Sequence, residues 1–124
     1  HRALADGVRA AVEAWASPSG LSLLVGTARD RANSVTTVLT GSIDATELSR
    51  RCREQLGVTL GVGIGDLADR SFRIGHMGHV NAPMVLGVLG AVDVALATMG
   101  APVRRSGVAA ASASLAAALG RNVA

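Results

Sequence analysis

Arg73 is the charged residue with the most unusual setting in this sequence. It lies within the short stretch Phe72–Gly75, between apolar residues and shortly before a glycine. A charge in such a setting must be paired, and the planar guanidinium fits a carboxylate through two parallel hydrogen bonds. Two partners remain open at this point: an acidic side chain of this chain, which would make a structural salt bridge, or the carboxylate of a small ligand.

Two other spacings suggest chemistry but lack the necessary context. Gly63-x-Gly65-x-x-Ala68 loosely matches the dinucleotide-binding fingerprint, but a strand follows where that fingerprint needs the N-terminus of a helix. His76-x-x-His79 has two possible metal ligands without a third, and the intervening glycine predicts a loop. We therefore expect neither a dinucleotide site nor a metal site.

The sequence also lacks a convincing nucleophile. Ser34 and Ser71 fall in predicted strands without the sharp turn that exposes a catalytic serine. Asp66 and Asp69 lie in a predicted turn, which they would cap or solvate. Cys52 is the single cysteine, so it cannot form an internal disulfide, and its position predicts a small core residue in a cytoplasmic protein.

Composition excludes further classes of function. The chain has 124 residues, the size of one domain, and its 12 basic residues are all arginine. Without lysine, this chain cannot form a Schiff base or build a phosphate-binding P-loop. A net charge of +3 and an aromatic content of 2% disfavour nucleic-acid binding, and the arginine clusters are expected to face solvent. The most apolar stretch, residues 84–99, is interrupted by Asp93 and is too short for a membrane span.

The first half of the chain predicts two helices and up to two strands. Apolar residues at helical spacing predict a helix over residues 2–16, and the apolar run 21–25 and the β-branched run 34–40 predict strands. Asp44 should cap the next helix in a capping-box variant with Glu47, and Gly57 should end it. Its expected buried stripe is Leu48, Cys52 and Leu56.

The second half predicts two neighbouring strands and two helices. Residues 58–65 alternate apolar residues with glycines, which predicts a strand with Leu60, Val62 and Ile64 on one face, pairing antiparallel with residues 71–74. Asn81 should cap a buried helix ending near Gly100, and an alanine-rich helix should follow over 106–119. The predicted fold is α+β, with a small, mostly antiparallel sheet of three to four strands covered by helices.

Three stretches of the sequence resemble a known family. Residues 34–39, residues 57–65 and the block Phe-Arg-Ile-Gly-His-Met-Gly at 72–78, followed by Asn81 and a long apolar helix, resemble the C-terminal domain of class V aminotransferases. The similarity is to the glyoxylate-using group, which includes alanine-, serine- and ureidoglycine–glyoxylate and serine–pyruvate aminotransferases. It extends over nearly the whole chain.

This resemblance implies a function and partners. Such enzymes are homodimers of the pyridoxal-phosphate fold type I, in which a large N-terminal domain carries the cofactor lysine and the small C-terminal domain closes on the substrate. Residues 1–124 would then be the small domain alone, inactive without the large domain, and pyridoxal 5'-phosphate would be bound mainly by that missing domain. The family's carboxylate-binding arginine falls on Arg73, and the substrates implied are small amino acids and keto acids such as glyoxylate or pyruvate.

An alternative remains open beside this resemblance. The chain could be a free-standing α+β module that binds a small carboxylate or a protein partner. In either case we expect a cytoplasmic protein without nucleic-acid or membrane partners, and only Arg73 is predicted as a site residue.

Overall fold

The computed structural model describes residues 2–23, 35–63, 65–75, 81–103 and 105–120. Its described part forms an α+β fold with a 4-stranded antiparallel sheet and helices packed against it, which confirms the predicted class. The elements, in chain order, are α1 (Arg2–Ser19), β1 (Ser22–Leu23), β2 (Val35–Leu39), α2 (Ala45–Leu56), β3 (Gly61–Val62), a 3-10 turn (Gly65–Leu67), β4 (Ser71–Gly75), α3 (Ala82–Thr98) and α4 (Gly107–Gly120).

The two longest strands, β2 and β4, form the centre of the sheet. The strand order is β1-β2-β4-β3, so β1 and β3 are the edges. Val38 pairs with Phe72 across the β2–β4 ladder, and both side chains are fully buried in the core with Ile74. Since successive side chains of a strand point to opposite faces, Arg73 points away from this core-facing side.

Helix α1 contributes an amphipathic face to the core, as its periodicity predicts. Val8, Val12 and Trp15 are buried there. The helix was predicted to stop before the Ser-Pro-Ser-Gly stretch, but a final turn continues to Ser19 after a non-helical residue at Ser17 (φ −117°, ψ 134°). The hydroxyl of Ser19 donates a hydrogen bond to the Trp15 carbonyl oxygen, which supports this extra turn.

Helix α2 begins and ends where local signals predict. The Asp44 carboxylate accepts a hydrogen bond from the Glu47 backbone N–H at 3.1 Å, and Gly57 follows the helix with a left-handed φ of 70°. The Glu47 carboxylate accepts hydrogen bonds from arginines instead of completing a capping box. Leu56 was wrongly assigned to the buried stripe: at the last turn of α2 it is exposed.

Strand β3 is shorter than the alternating pattern predicts. Only Gly61 and Val62 pair with β4, antiparallel as expected, and a 3-10 turn begins at Gly65. Leu60 is buried but Val62, at the edge of the sheet, is 59% exposed, so the core covers only part of the predicted apolar face. Ile64, the third residue of that face, lies outside the described residues.

Helix α3 is joined to α1 and α4 through Asp93. This carboxylate accepts hydrogen bonds from the Trp15 indole at 2.7 Å, from the Ser106 hydroxyl at 2.6 Å, and from the Gly107 and Val108 backbone N–H groups at 2.8 and 3.1 Å. It therefore binds the N-terminus of α4, where orphan N–H groups and the helix dipole favour an anion. In the sequence, Asp93 stands out only as an interruption of an apolar stretch.

The hydrogen-bonded contact of Asp93 with Trp15 and residues 106–108 is the joint between α1, α3 and α4. This joint also requires a residue without a side chain at position 107. A Cβ atom on Gly107 would lie 2.4 Å from the Trp15 ring, so only glycine allows α4 to begin this close to α1. The predicted cap of α3 is confirmed as well, since the Asn81 side chain accepts a hydrogen bond from the Met84 N–H at 3.0 Å.

Candidate functional site

Arg73 lies in the middle of β4, the strand at the centre of the candidate site. Its neighbours Phe72 and Ile74 are anchored in the hydrophobic core, which fixes the strand. Across the sheet, Arg73 is paired with Thr37 of β2 on one side and Gly61 of β3 on the other. The guanidinium thus extends from a rigid strand rather than from a loop, which suits a residue that must hold a fixed position.

The Arg73 side chain is partly buried and has no partner within the described part of the chain. No described carboxylate forms a salt bridge with it, and its Nε is fully shielded from solvent without a hydrogen-bond partner. A buried polar atom without a partner costs about 1–3 kcal/mol. Of the two partners left open by the sequence, an internal carboxylate is therefore not found among the described residues.

Gly61 leaves the space beside the Arg73 side chain. A Cβ atom built on Gly61 would lie 3.1 Å from Cβ and 3.5 Å from Nε of Arg73, and 3.3 Å from its carbonyl oxygen. The contacts at 3.1 and 3.3 Å are crowded and would require a shift of a few tenths of an ångström, whereas 3.5 Å to Nε is an ordinary van der Waals distance. The backbone of Gly61 has no positive φ, so the glycine is needed for space rather than for its conformation.

An open pocket of about 260 Å³ lies along these residues. It has room for a small molecule of a few heavy atoms, and Arg73 is the only charged side chain among its described lining residues. These residues are Thr59, Leu60, Gly61, Arg73, Ile74, Gly75 and Val88. A cation at one wall of a mostly uncharged pocket can bind and orient a small carboxylate.

The other candidate residues from the sequence either make contacts within the fold or lie outside the described residues. His76, His79 and Ser34 lie outside the described residues, and no group of metal-ligating side chains occurs within the described ranges. The hydroxyl of Ser71 donates to the Leu67 carbonyl oxygen at 2.8 Å, which occupies its proton. Cys52 is buried, as predicted, and burial raises the pKa of its thiol, which disfavours the reactive thiolate.

The arginine cluster of α2 forms ion pairs on the helix surface. Glu47 accepts hydrogen bonds from Arg50 at 2.5 and 2.9 Å and from Arg51 at 2.8 Å, and Arg50 also pairs with Glu54 at 2.6 Å. The hydrogen bonds from Arg50 and then Arg51 lower the pKa of Glu47 to about 2. These arginines are thus engaged by acids of their own helix, in contrast to Arg73.

Sequence comparison relates the chain to a group of enzymes. No protein-family model matches it. It is 40% identical over 114 residues to serine–glyoxylate aminotransferase of Arabidopsis thaliana, and 34% identical over 113 residues to L-aspartate–glyoxylate aminotransferase of Paracoccus denitrificans. Each alignment covers 90% of this chain. The chain is homologous to part of the glyoxylate aminotransferases.

The same relation holds for the fold. The structure of pyridoxamine–pyruvate aminotransferase from Mesorhizobium loti matches 95% of this chain with a TM-score of 0.82 and 29% identity. The ureidoglycine–glyoxylate aminotransferase of Bacillus subtilis matches 92% with a TM-score of 0.78 and 27% identity. The resemblance inferred from residues 34–39, 57–65 and 72–81 is thereby confirmed.

The chain spans only a minor part of these aminotransferases. It covers 27% and 28% of the two curated relatives and 30% and 29% of the two solved chains. The remaining length of such proteins therefore has no counterpart here. In addition, none of the described helices is long and apolar enough to cross a bilayer.

Gly61 and Val88 are the site residues that sequence analysis missed. Gly61 was noted only as one of several glycines in an alternating strand, and Val88 only as part of an apolar helix. The alternation itself contains the relevant signal, because a glycine in a strand marks a close approach by another group. The identity of that group, the Arg73 side chain, depends on the β3–β4 register, which no local pattern specifies.

Proposed function

We propose that this chain is the small C-terminal domain of an aminotransferase that transfers an amino group from a small amino acid to glyoxylate or pyruvate. The observation that carries the proposal is the partly buried Arg73, which has no ion-pair partner among the described residues and lies on the wall of a small pocket, in a chain homologous to glyoxylate aminotransferases. A cation in this position can bind a ligand that supplies a carboxylate.

Arg73 would bind the carboxylate that the amino acid and the keto acid have in common. A two-point hydrogen bond between guanidinium and carboxylate fixes both the position and the plane of the substrate. Since transamination uses an amino acid and a keto acid in turn at one site, one arginine can orient both. The other described lining residues are two glycines, three aliphatic residues and Thr59, which suits substrates with small side chains.

The residues of this chain do not fit the covalent role in pyridoxal-phosphate chemistry. Linkage of that cofactor to a protein requires a lysine amine, and the sequence contains none. We therefore assign no step of that chemistry to these residues. Pyridoxal 5'-phosphate would be held by a large N-terminal domain, and this chain would contribute substrate binding alone.

The proposal also includes partners for the exposed apolar surface. Met84 and Val94 of α3 and Leu119 of α4 are about half exposed, at 52%, 48% and 57%. Large apolar side chains on a surface are typical of contacts with another domain or subunit. The large domain of the same protein and a second copy in a homodimer are the partners that we propose.

Activity of the complete protein tests the proposed function. The protein encoded by the whole reading frame would be purified, and amino transfer from serine, alanine and aspartate to glyoxylate and pyruvate would be measured. We expect transfer for at least one donor, and none from residues 1–124 alone. Absence of transfer for every donor and acceptor in a folded, cofactor-loaded protein would refute the proposal.

A free-standing carboxylate-binding module is the second candidate, and the Arg73 pocket favours it equally. The two functions differ in their dependence on other domains. If residues 1–124 alone bind glyoxylate or propionate as tightly as the complete protein does, and the complete protein transfers no amino group, the module is the better description.

A further inference from the structure

We propose that Gly61 is a positioning residue for Arg73, and that the missing side chain at position 61 sets where the guanidinium meets a substrate carboxylate. This inference rests on the proposed function, because it concerns the same site. It adds a residue whose role comes from the structure of this chain, through the contact between β3 and the Arg73 side chain.

The cross-strand register places Gly61 next to Arg73. Gly61 is the direct partner of Arg73 in the β3–β4 ladder, and directly opposite residues of a sheet present their side chains to the same face. The bare Gly61 backbone therefore lies beside the aliphatic stem of the arginine. Thr37, the partner on the other side, keeps its side chain, so the space available to Arg73 is asymmetric.

The distances from a Cβ atom at position 61 to Arg73 are short. The Cβ position of Gly61 lies 3.5 Å from Nε and 3.1 Å from Cβ of Arg73. The contact with Cβ is crowded, so a methyl group there would displace Arg73 at its Cβ by a few tenths of an ångström, whereas 3.5 Å to Nε is an ordinary van der Waals distance. Nε is shielded and has no partner among the described residues, so a displacement that starts at Cβ would be carried along the side chain to the guanidinium at the pocket wall.

Such a shift of Arg73 should weaken its hydrogen bonds to a substrate carboxylate. A bidentate pair depends on the geometry of two parallel hydrogen bonds, and a misplacement of about 1 Å can cost about 100-fold in rate. A shift of a few tenths should thus weaken carboxylate binding by about threefold to tenfold. The loss should appear mainly in KM for the keto acid, because binding of the carboxylate is affected before and during the reaction alike.

A double-mutant cycle tests the role of Gly61. In the complete protein, we would measure kcat and KM for glyoxylate, together with the competitive inhibition constant of propionate, in Gly61→Ala, Arg73→Ala and the double variant. Propionate reports carboxylate binding without any reaction. We expect Gly61→Ala to raise both KM and the inhibition constant about threefold to tenfold, with kcat changed by less than twofold.

The cycle separates positioning from general damage to the sheet. Arg73→Ala retains Cβ and the carbonyl oxygen, so a methyl group at position 61 still makes both of the crowded contacts in the double variant. If Gly61 acts through the guanidinium, Gly61→Ala adds no further loss once Arg73 is alanine. An equal loss in both backgrounds would overturn the proposal, since the effect would then be structural.

Gly120→Ala is the matched control. Gly120 is the last residue of α4, and a Cβ atom there would meet no described atom within 4 Å. We expect unchanged KM and inhibition constants in this variant. Unfolding midpoints would be measured for all variants, and if Gly61→Ala is unstable, the cycle would be run at a lower temperature at which circular dichroism shows it folded.

The possible outcomes distinguish a failure of the proposed function from a failure of the role proposed for Gly61. If the complete protein transfers no amino group, the proposed function fails. If it does so but Arg73→Ala leaves propionate inhibition unchanged, the assignment of Arg73 fails, and Gly61 loses its role with it. If Arg73→Ala abolishes inhibition and Gly61→Ala has no effect, only the role of Gly61 is refuted.

Discussion

Asp93 and Arg73 are both charged residues in mostly apolar elements, and their surroundings are opposite. Asp93 accepts hydrogen bonds from two side chains and two backbone N–H groups that join α1, α3 and α4. Arg73 has a shielded Nε without a partner, at the edge of an open pocket. Within the described structure, the Asp93 carboxylate is satisfied by internal hydrogen bonds, whereas the Arg73 guanidinium has no internal partner.

The presence or absence of internal partners separates structural from functional charges in this fold. A charge buried for stability must be satisfied inside the protein, because an unsatisfied one costs more than it contributes. Arg73 does not meet this requirement within the described residues, so its retention needs an external partner. Substitutions at the two residues should accordingly affect different properties, stability for Asp93 and ligand binding for Arg73.

The largest effect is expected for Asp93→Ala. The change leaves the Trp15 indole, the Ser106 hydroxyl and two N–H groups at the start of α4 without their acceptor, which should lower the free energy of unfolding by about 3 kcal/mol. Urea denaturation measures this loss. Asp66→Asn, in the exposed turn before β4, is the control and should change stability by less than about 0.5 kcal/mol. A loss below about 1 kcal/mol for Asp93→Ala would remove the contrast between the two residues.

The next effect concerns binding at Arg73. In the complete protein, Arg73→Ala should lower kcat/KM for the keto acid tenfold or more, because a charge-assisted hydrogen bond contributes about 1.5–3 kcal/mol. The unfolding midpoint should hardly change, since no described contact of the guanidinium is lost. Arg53→Ala, on the exposed face of α2, is the matched control and should retain full activity. Unchanged kinetics with glyoxylate in Arg73→Ala would refute the assigned role.

A smaller effect is expected from acid. Burial by itself raises the pKa of Asp93, but the hydrogen bonds from Ser106, Trp15, Gly107 and Val108 outweigh it, so that the pKa is lowered. A lowered pKa in the folded state means that the unfolded state binds the proton more readily. The stability from Asp93 is therefore present above its unfolded pKa of about 3.9 and is lost as the pH falls through the lower folded pKa.

Unfolding by urea at several pH values between 7 and 2.5 measures this dependence. In Asp93→Asn the loss of stability on acidification should be smaller than in the wild type, because the titrating group is absent. An equally steep loss in Asp93→Asn would show that other carboxylates account for the acid sensitivity. Arg73→Ala should follow the wild-type curve.

The smallest effect is expected for Glu47→Gln on α2. Its pKa of about 2 shows that the arginine pairs favour the ionised form, yet these groups are largely at the surface, where ion pairs contribute little. Glu47→Gln should lower the unfolding midpoint less than Asp93→Asn does, and by less still in 1 M salt, where the ion pairs are screened. A larger loss than for Asp93→Asn would mean that surface ion pairs, rather than the partly buried Asp93 carboxylate, dominate the electrostatic stability.

The parts of the fold that sequence predicts are those governed by local chemistry. The caps at Asp44 and Asn81 and the left-handed Gly57 depend on residues within a few positions, and all three are confirmed. Arg73 was singled out for the same reason, as a charge flanked by apolar neighbours. Its role in carboxylate binding stays a prediction.

The parts that sequence could not predict depend on contacts between distant residues. Trp15 and Asp93 are 78 positions apart, and nothing near either residue indicates that they form a hydrogen bond. The alternation over 58–65 predicted a longer strand, but the edge position of β3 limits pairing to two residues and leaves Val62 exposed. The contact between Gly61 and Arg73 follows from that same tertiary pairing.

The burial of Trp15 gives the protein a built-in optical reporter. It is the only tryptophan, and the chain has no tyrosine, so nearly all of the ultraviolet fluorescence comes from this one indole. In the folded state its ring is fully buried against Gly107 and its N–H is bonded to Asp93. Emission should shift to longer wavelengths as α1 and α4 separate, so a single dye-free signal would follow the integrity of this joint.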